Sequence, residues 1–197
     1  MGRSWSTGVA TNVGAPLIAG VVHAVVSDLE SARRAVRAGA TVLRLEATPG
    51  GPRLEDAGRD LRSLGTPFFV VDDVEAAREL AADGVHLDQR LDRWDDAHER
   101  GLQVGLAARS TPSIPLAYVE IDWSSLRAAG ALDVECLEEL ARLCACLPAP
   151  VIVAGVGDPL HVRRCLTAGA AGAVASAALP EEVPIATGEA TAVPVAP

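Results

Sequence analysis

The chain has 197 residues, enough for one domain with a sizeable core. Hydrophobic residues make up 49% and aromatics only 3%, so the core must be built from small aliphatic side chains. A net charge of −9 and a pI near 4.9 argue against nucleic acid or an anionic membrane surface as a partner.

All 17 basic residues are arginine. Without lysine there is no Schiff-base chemistry on the chain and no P-loop. The four cysteines, Cys136, Cys144, Cys146 and Cys165, show no CxxC spacing. Free buried thiols in a reducing cytoplasm are expected, and a zinc site is not. No run of about 18 apolar residues occurs. Nor does a basic segment lead into an apolar one, so no membrane span or signal peptide is read and a cytoplasmic location is expected.

Residues 1–20 are rich in Gly, Ser, Thr and Ala without a period and read as an N-terminal arm. The first strand is 21–26. Asp28 is a candidate N-cap for a helix over 29–37, since its carboxylate can take free amide hydrogens, and Gly39 ends it. The second strand is 41–46, followed by a Pro-Gly-Gly loop and an amphipathic helix over 54–64. The stretch 68–89, FFVVDDVEAARELAADGVHLDQ, reads as strand, short helix and strand in a βαβ unit. A polar helix over 91–100 is stopped by Gly101. Strands follow at 102–107 and 118–122, with no covering helix between them. The next helix, 134–147, leads into a strand at 151–154. Asp158 and Pro159 mark the N-cap and first residue of a helix through 168. The last strand is 171–176. Residues 180–197, rich in Pro, Ala, Thr and Glu, read as a disordered tail.

Helix, small residue or glycine, then strand recurs at 33–45, 77–88 and 163–176. Eight near-continuous apolar strands alternating with helices predict a single (β/α)₈ barrel over 21–179, lacking the helix between strands five and six. A doubly wound sheet is the alternative, but no GxGxxG follows the first strand.

In a barrel the chemistry lies where the strands end. Those positions carry Arg44 and Glu46, Asp72 and Asp73, His86 and Asp88, Arg109, Glu120 and Asp122, Gly155 and Gly157, and Ser176. The acids Glu46, Asp72, Glu120 and Asp122 and the base candidate His86 form the catalytic set. Substrate contacts are expected from Arg44, Asp88, Gln89, Arg109, Gly155, Gly157 and Ser176. Each has a structural alternative. Asp72 or Asp73 can cap the helix that follows; His86 and His23 can be hydrogen-bonded core residues. Glu120 and Asp122 can be buried partners of Arg44 and Arg109. Gly155-Val156-Gly157 with 173–176 is where barrels often hold a phosphate on backbone amides, although Asp158 would repel one.

The motif VVDD…ADGVHLDQ resembles the "VND…ADGVHLGQ" signature of the thiamine phosphate synthase and thiazole tautomerase family. The likeness continues through AGATVLRLE (38–46), LQVGLAA (102–108), AYVEI (117–121), PVIVAGVG (150–157) and LTAGAAGAVASAAL (166–179), most of 21–179. It implies a (β/α)₈ barrel, a small-molecule substrate and, through Asp72, a Mg²⁺ ligand. The second metal aspartate falls on Leu91, one position before Asp92. The family's basic "QLREK" becomes Arg44, Leu45, Glu46, Ala47 and Thr48. Its "GPVFPTxTK" loop becomes Glu120-Ile121-Asp122-Trp123-Ser124-Ser125. A diphosphate site has lost cations and gained acids. The leading expectation is therefore a divergent barrel enzyme doing acid–base work on a small molecule: isomerisation, cyclisation or elimination. Thiamine phosphate synthase activity with a rebuilt site is the second. A non-catalytic ligand- or partner-binding barrel is the third, since an uncovered strand-five wall would expose apolar surface that a homodimer could cover.

Overall fold

The computed structural model describes residues 21–50, 53–88, 90–107, 115–127 and 132–175. The expected arm over 1–20 and tail over 180–197 lie outside the described residues. Eight parallel strands, each hydrogen-bonded to the next, close on themselves as a (β/α)₈ barrel. They are β1 (Val21–Val26), β2 (Val42–Leu45), β3 (Phe68–Val71), β4 (Gly84–Leu87), β5 (Gln103–Ala107), β6 (Tyr118–Asp122), β7 (Val151–Ala154) and β8 (Gly172–Ala175). Helices α1 (Leu29–Arg37), α2 (Leu54–Leu61), α3 (Val74–Glu79), α4 (Trp94–Glu99), α5 (Trp123–Leu126), α6 (Asp133–Cys146) and α7 (Pro159–Thr167) follow their strands.

Alternation along each strand sorts the side chains into three apolar layers. One face of β1 to β5, with Leu43, Leu45, Phe68, Val70, Val85 and Leu87, packs outward under α1 to α4. The same face of β6 and β7, with Val119, Ile121, Val151 and Val153, packs under α5 to α7. The inner layer is small and is filled by Phe69, Tyr118 and Ile152. In a chain so poor in aromatics, these two rings plug the barrel, edge to face with centroids 5.5 Å apart. They fit because two neighbours have no side chain. A Cβ on Gly84 would stand 2.5 Å from Phe69 Cε1, and one on Gly105 would stand 2.1 Å from Tyr118 Cζ.

Helix starts follow one device. Asp28, Asp73, Asp122 and Asp158 each turn a carboxylate back onto an amide of the first turn of α1, α3, α5 and α7. Three helices depart from the sequence expectation. The helix over 54–64 changes to a 3₁₀ turn after Leu61 and stops at Gly65 (φ 68°). The polar helix over 91–100 begins as a 3₁₀ turn, Leu91–Arg93. The single-turn α5 was not expected; its signal is Asp122-Trp-Ser-Ser, an N-cap sequence.

Among the described residues no helix stands between β5 and β6, and 108–114 lie outside them. The expected apolar exposure there is corrected. Val104 is 1% exposed, Leu106 3%, Val119 0% and Ile121 1%. Leu116 packs against both outer clusters, and α5 adds Trp123 and Leu126 beside it. No described helix is long and apolar enough to cross a membrane.

Candidate active site at the C-terminal mouth of the barrel

Inward-facing positions of β1, β2, β4 and β6 converge on Arg44. Its side chain is 3% exposed. Its Nε–H donates to His23 Nδ1 at 3.0 Å. Its Nη1 donates to Glu120 Oε2 and lies 3.4 Å from His86 Nε2. Its Cζ sits 5.0 Å from the centre of the Tyr118 ring. Among the described residues, Nη2 is buried with no hydrogen-bond partner. A buried N–H left unpaired costs about 1–3 kcal/mol, more on a charged group.

Burial of a guanidinium is tolerable only with a carboxylate against it. Glu120, its side chain 14% exposed, supplies that charge. The alternative of an internal Arg44–Glu120 ion pair is thus the observed one. It does not include Asp122, and Arg109 lies outside the described residues. Sequence reading passed over Tyr118. Its signal is position: it lies two residues before Glu120, on the same face of β6.

The two core histidines are neutral. Burial, then the charge of Arg44, pushes His23 down to about 3. The same causes, with His23 itself a lesser third, push His86 down to about 2. Arginine only donates, so His23 Nδ1 must offer a lone pair and its proton sits on Nε2. His86 Nδ1 lies 3.0 Å from the Tyr118 hydroxyl, and burial raises that hydroxyl's pKa. Burial and the neighbouring guanidinium disfavour the protonated form that a base must reach, which weighs against the expected role of His86 as a base. What it does is fix Tyr118 and the Glu120–Arg44 pair.

Above this network is a cavity of about 130 Å³. Arg44, His86 and Glu120 form its buried side; Glu46 and Asp88 are exposed; Val25, Val71 and Val174 complete the wall. A larger groove of about 420 Å³ lies between α6 and α7, lined by Leu137, Leu160, Arg163 and Arg164 among others. Its described lining comes from these helices and the Ala168 C-cap of α7, and holds no acid or histidine.

Solved structures share this architecture. The chain is similar to thiamine phosphate pyrophosphorylase from Pyrococcus furiosus, with a TM-score of 0.67 and 22% identity over 84% of this chain and 89% of that one. It is similar to phosphoribosyl anthranilate isomerase from Thermus thermophilus, at 0.58 and 19% over 79% and 86%. It is also similar to dihydropteroate synthase from Xanthomonas albilineans, at 0.57 and 15% over 84% and 89%. The shared feature is the barrel. No family model matches the chain, and no curated protein matches it by sequence.

The magnesium expectation fails on the donor set. Asp72 has a left-handed backbone (φ 55°), which aspartate tolerates better than most residues. Its Oδ1 accepts from the amides of Asp88 at 2.8 Å and Arg90 at 3.2 Å. It anchors the loop after β4, while Asp73 caps α3 through Ala76 N at 2.8 Å. Asp92 lies against Arg90, with 3.8 Å between Oδ1 and Nε. Among the described residues no three His, Cys, Asp or Glu side chains gather as a metal site. The residues present do not fit Mg²⁺.

The phosphate expectation at Gly155 and Gly157 meets the same obstacle. Asp158 takes the Leu160 amide at 3.0 Å, and Pro159 has no N–H to offer. Asp122, besides capping α5, sets Oδ1 2.9 Å from where a Cβ on Gly155 would lie. At about 4 Å a like-charge contact costs about 1–4 kcal/mol even when screened, so two carboxylates make this corner hostile to an anion. Gln89, Arg109 and Ser176 lie outside the described residues.

Proposed function

We propose that this chain is a barrel enzyme that moves a proton on a small, uncharged or cationic molecule bound at the mouth of the barrel, with Glu120 taking and returning that proton. One observation carries the reading. Glu120 borders the cavity with Oε2 fixed by Arg44, while Oε1 makes no hydrogen bond among the described residues. An oriented carboxylate with one oxygen turned to no protein partner is equipped for general acid–base work. Arg44 suits the cycle. When Glu120 takes a proton, negative charge passes to the substrate and remains beside the same guanidinium. A neutral Glu120 leaves Arg44 without its carboxylate, which favours returning the proton.

The cavity limits the substrate. Its volume is close to the roughly 150 Å³ of an apolar cavity known to hold benzene, so it suits one ring. Glu46 and Asp88 at the rim disfavour anions. Isomerisation or tautomerisation of a ring-sized molecule fits best; cyclisation and elimination need the same proton transfer. Incubating small carbonyl and heteroaromatic compounds in D₂O with the enzyme tests this. Deuterium should enter the substrate, and Glu120→Gln should abolish the exchange while the circular dichroism spectrum is kept. Exchange unaffected by Glu120→Gln would refute it.

Thiamine phosphate synthase activity is the second reading, favoured by the likeness to the Pyrococcus furiosus enzyme. Product from the pyrimidine diphosphate and thiazole phosphate with Mg²⁺ would establish it; none at high enzyme concentration would exclude it.

A further inference from the structure

Independently of the proposed reaction, we infer that the face formed by α6 and α7 binds a second copy of this chain, with a two-fold axis along the groove that lays α6 of each copy over α7 of the other. Apolar exposure marks the place. Among the described residues the large apolar side chains that stand in solvent are Leu132, Val134 and Leu160, at 64%, 56% and 55%. Leu132 is the N-cap of α6, Val134 lies in its first turn, and Leu160 lies in the first turn of α7. One turn after Val134, Leu137 joins Leu160 in lining the groove of about 420 Å³. Single exposed apolar residues are ordinary, but several gathered beside a groove mark a surface that something covers.

Charge identifies what covers it. Helix α7 carries Arg163 and Arg164 and no acid, whereas α6 carries Asp133, Glu135, Glu138 and Glu139 against Arg142. Asp133 pairs with Arg127, Glu139 pairs with Arg142, and Glu135 accepts the Leu132 amide hydrogen. Glu138, Arg163 and Arg164 are exposed and have no ion-pair partner among the described residues. Val134 and Glu138 are four residues apart on α6, as are Leu160 and Arg164 on α7, so each pair shares a helix face. Each helix thus presents an apolar side chain and, one turn on, an unpaired charge, negative on α6 and positive on α7.

Those two patterns complete each other across a two-fold axis. Helices α6 and α7 each lead into the next strand of a parallel barrel, so they run in the same direction. Rotation by half a turn about an axis along the groove exchanges the helices and keeps that direction. Leu137 shares the groove with Leu160 and Arg164, so Glu138 beside it is about level with them, and the rotation preserves the level. Glu138 then meets the partner's Arg164, the contact occurs twice, and the exposed leucines and valines close over one another. An axis across the helices would instead set α6 on α6 and Glu138 on Glu138, which like charge disfavours. Size sets the strength. The 14 residues of α6 span about 21 Å and two helices side by side about 20 Å, a small contact, so the dimer belongs in the micromolar range.

Sedimentation velocity of the full-length protein over a concentration series tests this. The mean mass should rise from one chain to two, with a midpoint of about 1–100 µM. Leu160 is exposed in the single chain, so Leu160→Asp should leave folding intact while raising that midpoint at least about tenfold. Glu138→Arg sets arginine on arginine at both contacts, and Arg163→Glu with Arg164→Glu sets glutamate on glutamate, so each variant alone should stay monomeric. An equimolar mixture of the two should form a heterodimer, because both contacts again join opposite charges. That outcome also shows that both variants fold, and a Glu138–Arg164 pair within one chain could not produce it. A monomer at every concentration overturns the inference and leaves the groove to another protein. A dimer that Leu160→Asp leaves intact overturns it too, as do charge variants that self-associate like the wild type or fail to combine.

Discussion

Glu120 and Arg44 hold each other in place, and their variants should show it. Glu120→Ala leaves a buried guanidinium without its charge partner, so it should cost about 3–5 kcal/mol in urea unfolding. Arg44→Met with Glu120→Leu removes both charges and should cost clearly less than the sum of the two single changes; additive losses would mean the pair is not coupled. Asp72 offers a second residue-level contrast. Asp72→Asn keeps an oxygen for the amides of Asp88 and Arg90 and keeps a residue tolerant of φ 55°, so stability should change by less than about 0.5 kcal/mol. Activity should persist as well. Loss of activity in a stable Asp72→Asn would return Asp72 to the catalytic set. The cap Asp73→Ala should cost about 1 kcal/mol.

At the level of elements, β4 and β5 depend on bare backbone beside the plugging rings. Gly105→Ala puts a methyl group 2.1 Å from Tyr118 Cζ and should lower stability by about 3 kcal/mol or more, read as a fall in melting temperature. Gly157→Ala, which meets nothing within 4 Å, should be nearly silent. The strands were readable because parallel strands buried on both sides are short apolar runs, and FFVV or VIVA admits little else. Helix starts were readable because an aspartate before an amphipathic run is a local signal, as at Asp28 and Asp158. What stayed hidden was how the strand-end acids divide their work. Asp72 and Asp73 are adjacent in sequence, yet a left-handed turn sends one to the β4 loop and the other to α3. Asp122 and Glu120 share a strand face, but Asp122 sits at the end and is drawn onto α5. Only the closed barrel brings Arg44, 76 positions away in the chain, against Glu120.

For the molecule as a whole, the buried histidines set a response to acid. Their folded values of about 3 and about 2 lie below the ordinary 6.5, so below pH 6.5 the unfolded chain binds protons that the native state refuses. The stability they contribute is complete above pH 6.5 and is lost as pH falls through 6.5 toward those values. The slope is about 1.4 kcal/mol per pH unit for each histidine. Urea unfolding should therefore show a loss of about 2–4 kcal/mol between pH 6.5 and pH 5, and His23→Gln should roughly halve that slope. A flat profile would mean that both imidazoles can be protonated in the folded state. Tyr118 links this behaviour to how the barrel could change its chemistry. The ring fills the interior against Gly105 and also lies beside Arg44 and His86, so a substitution there disturbs the barrel and the floor of the cavity together. Glu46 and Asp88 stand exposed at the rim and carry no such obligation. Substitutions that change which molecule the mouth holds are therefore expected at the rim, where they leave the packing of the floor intact.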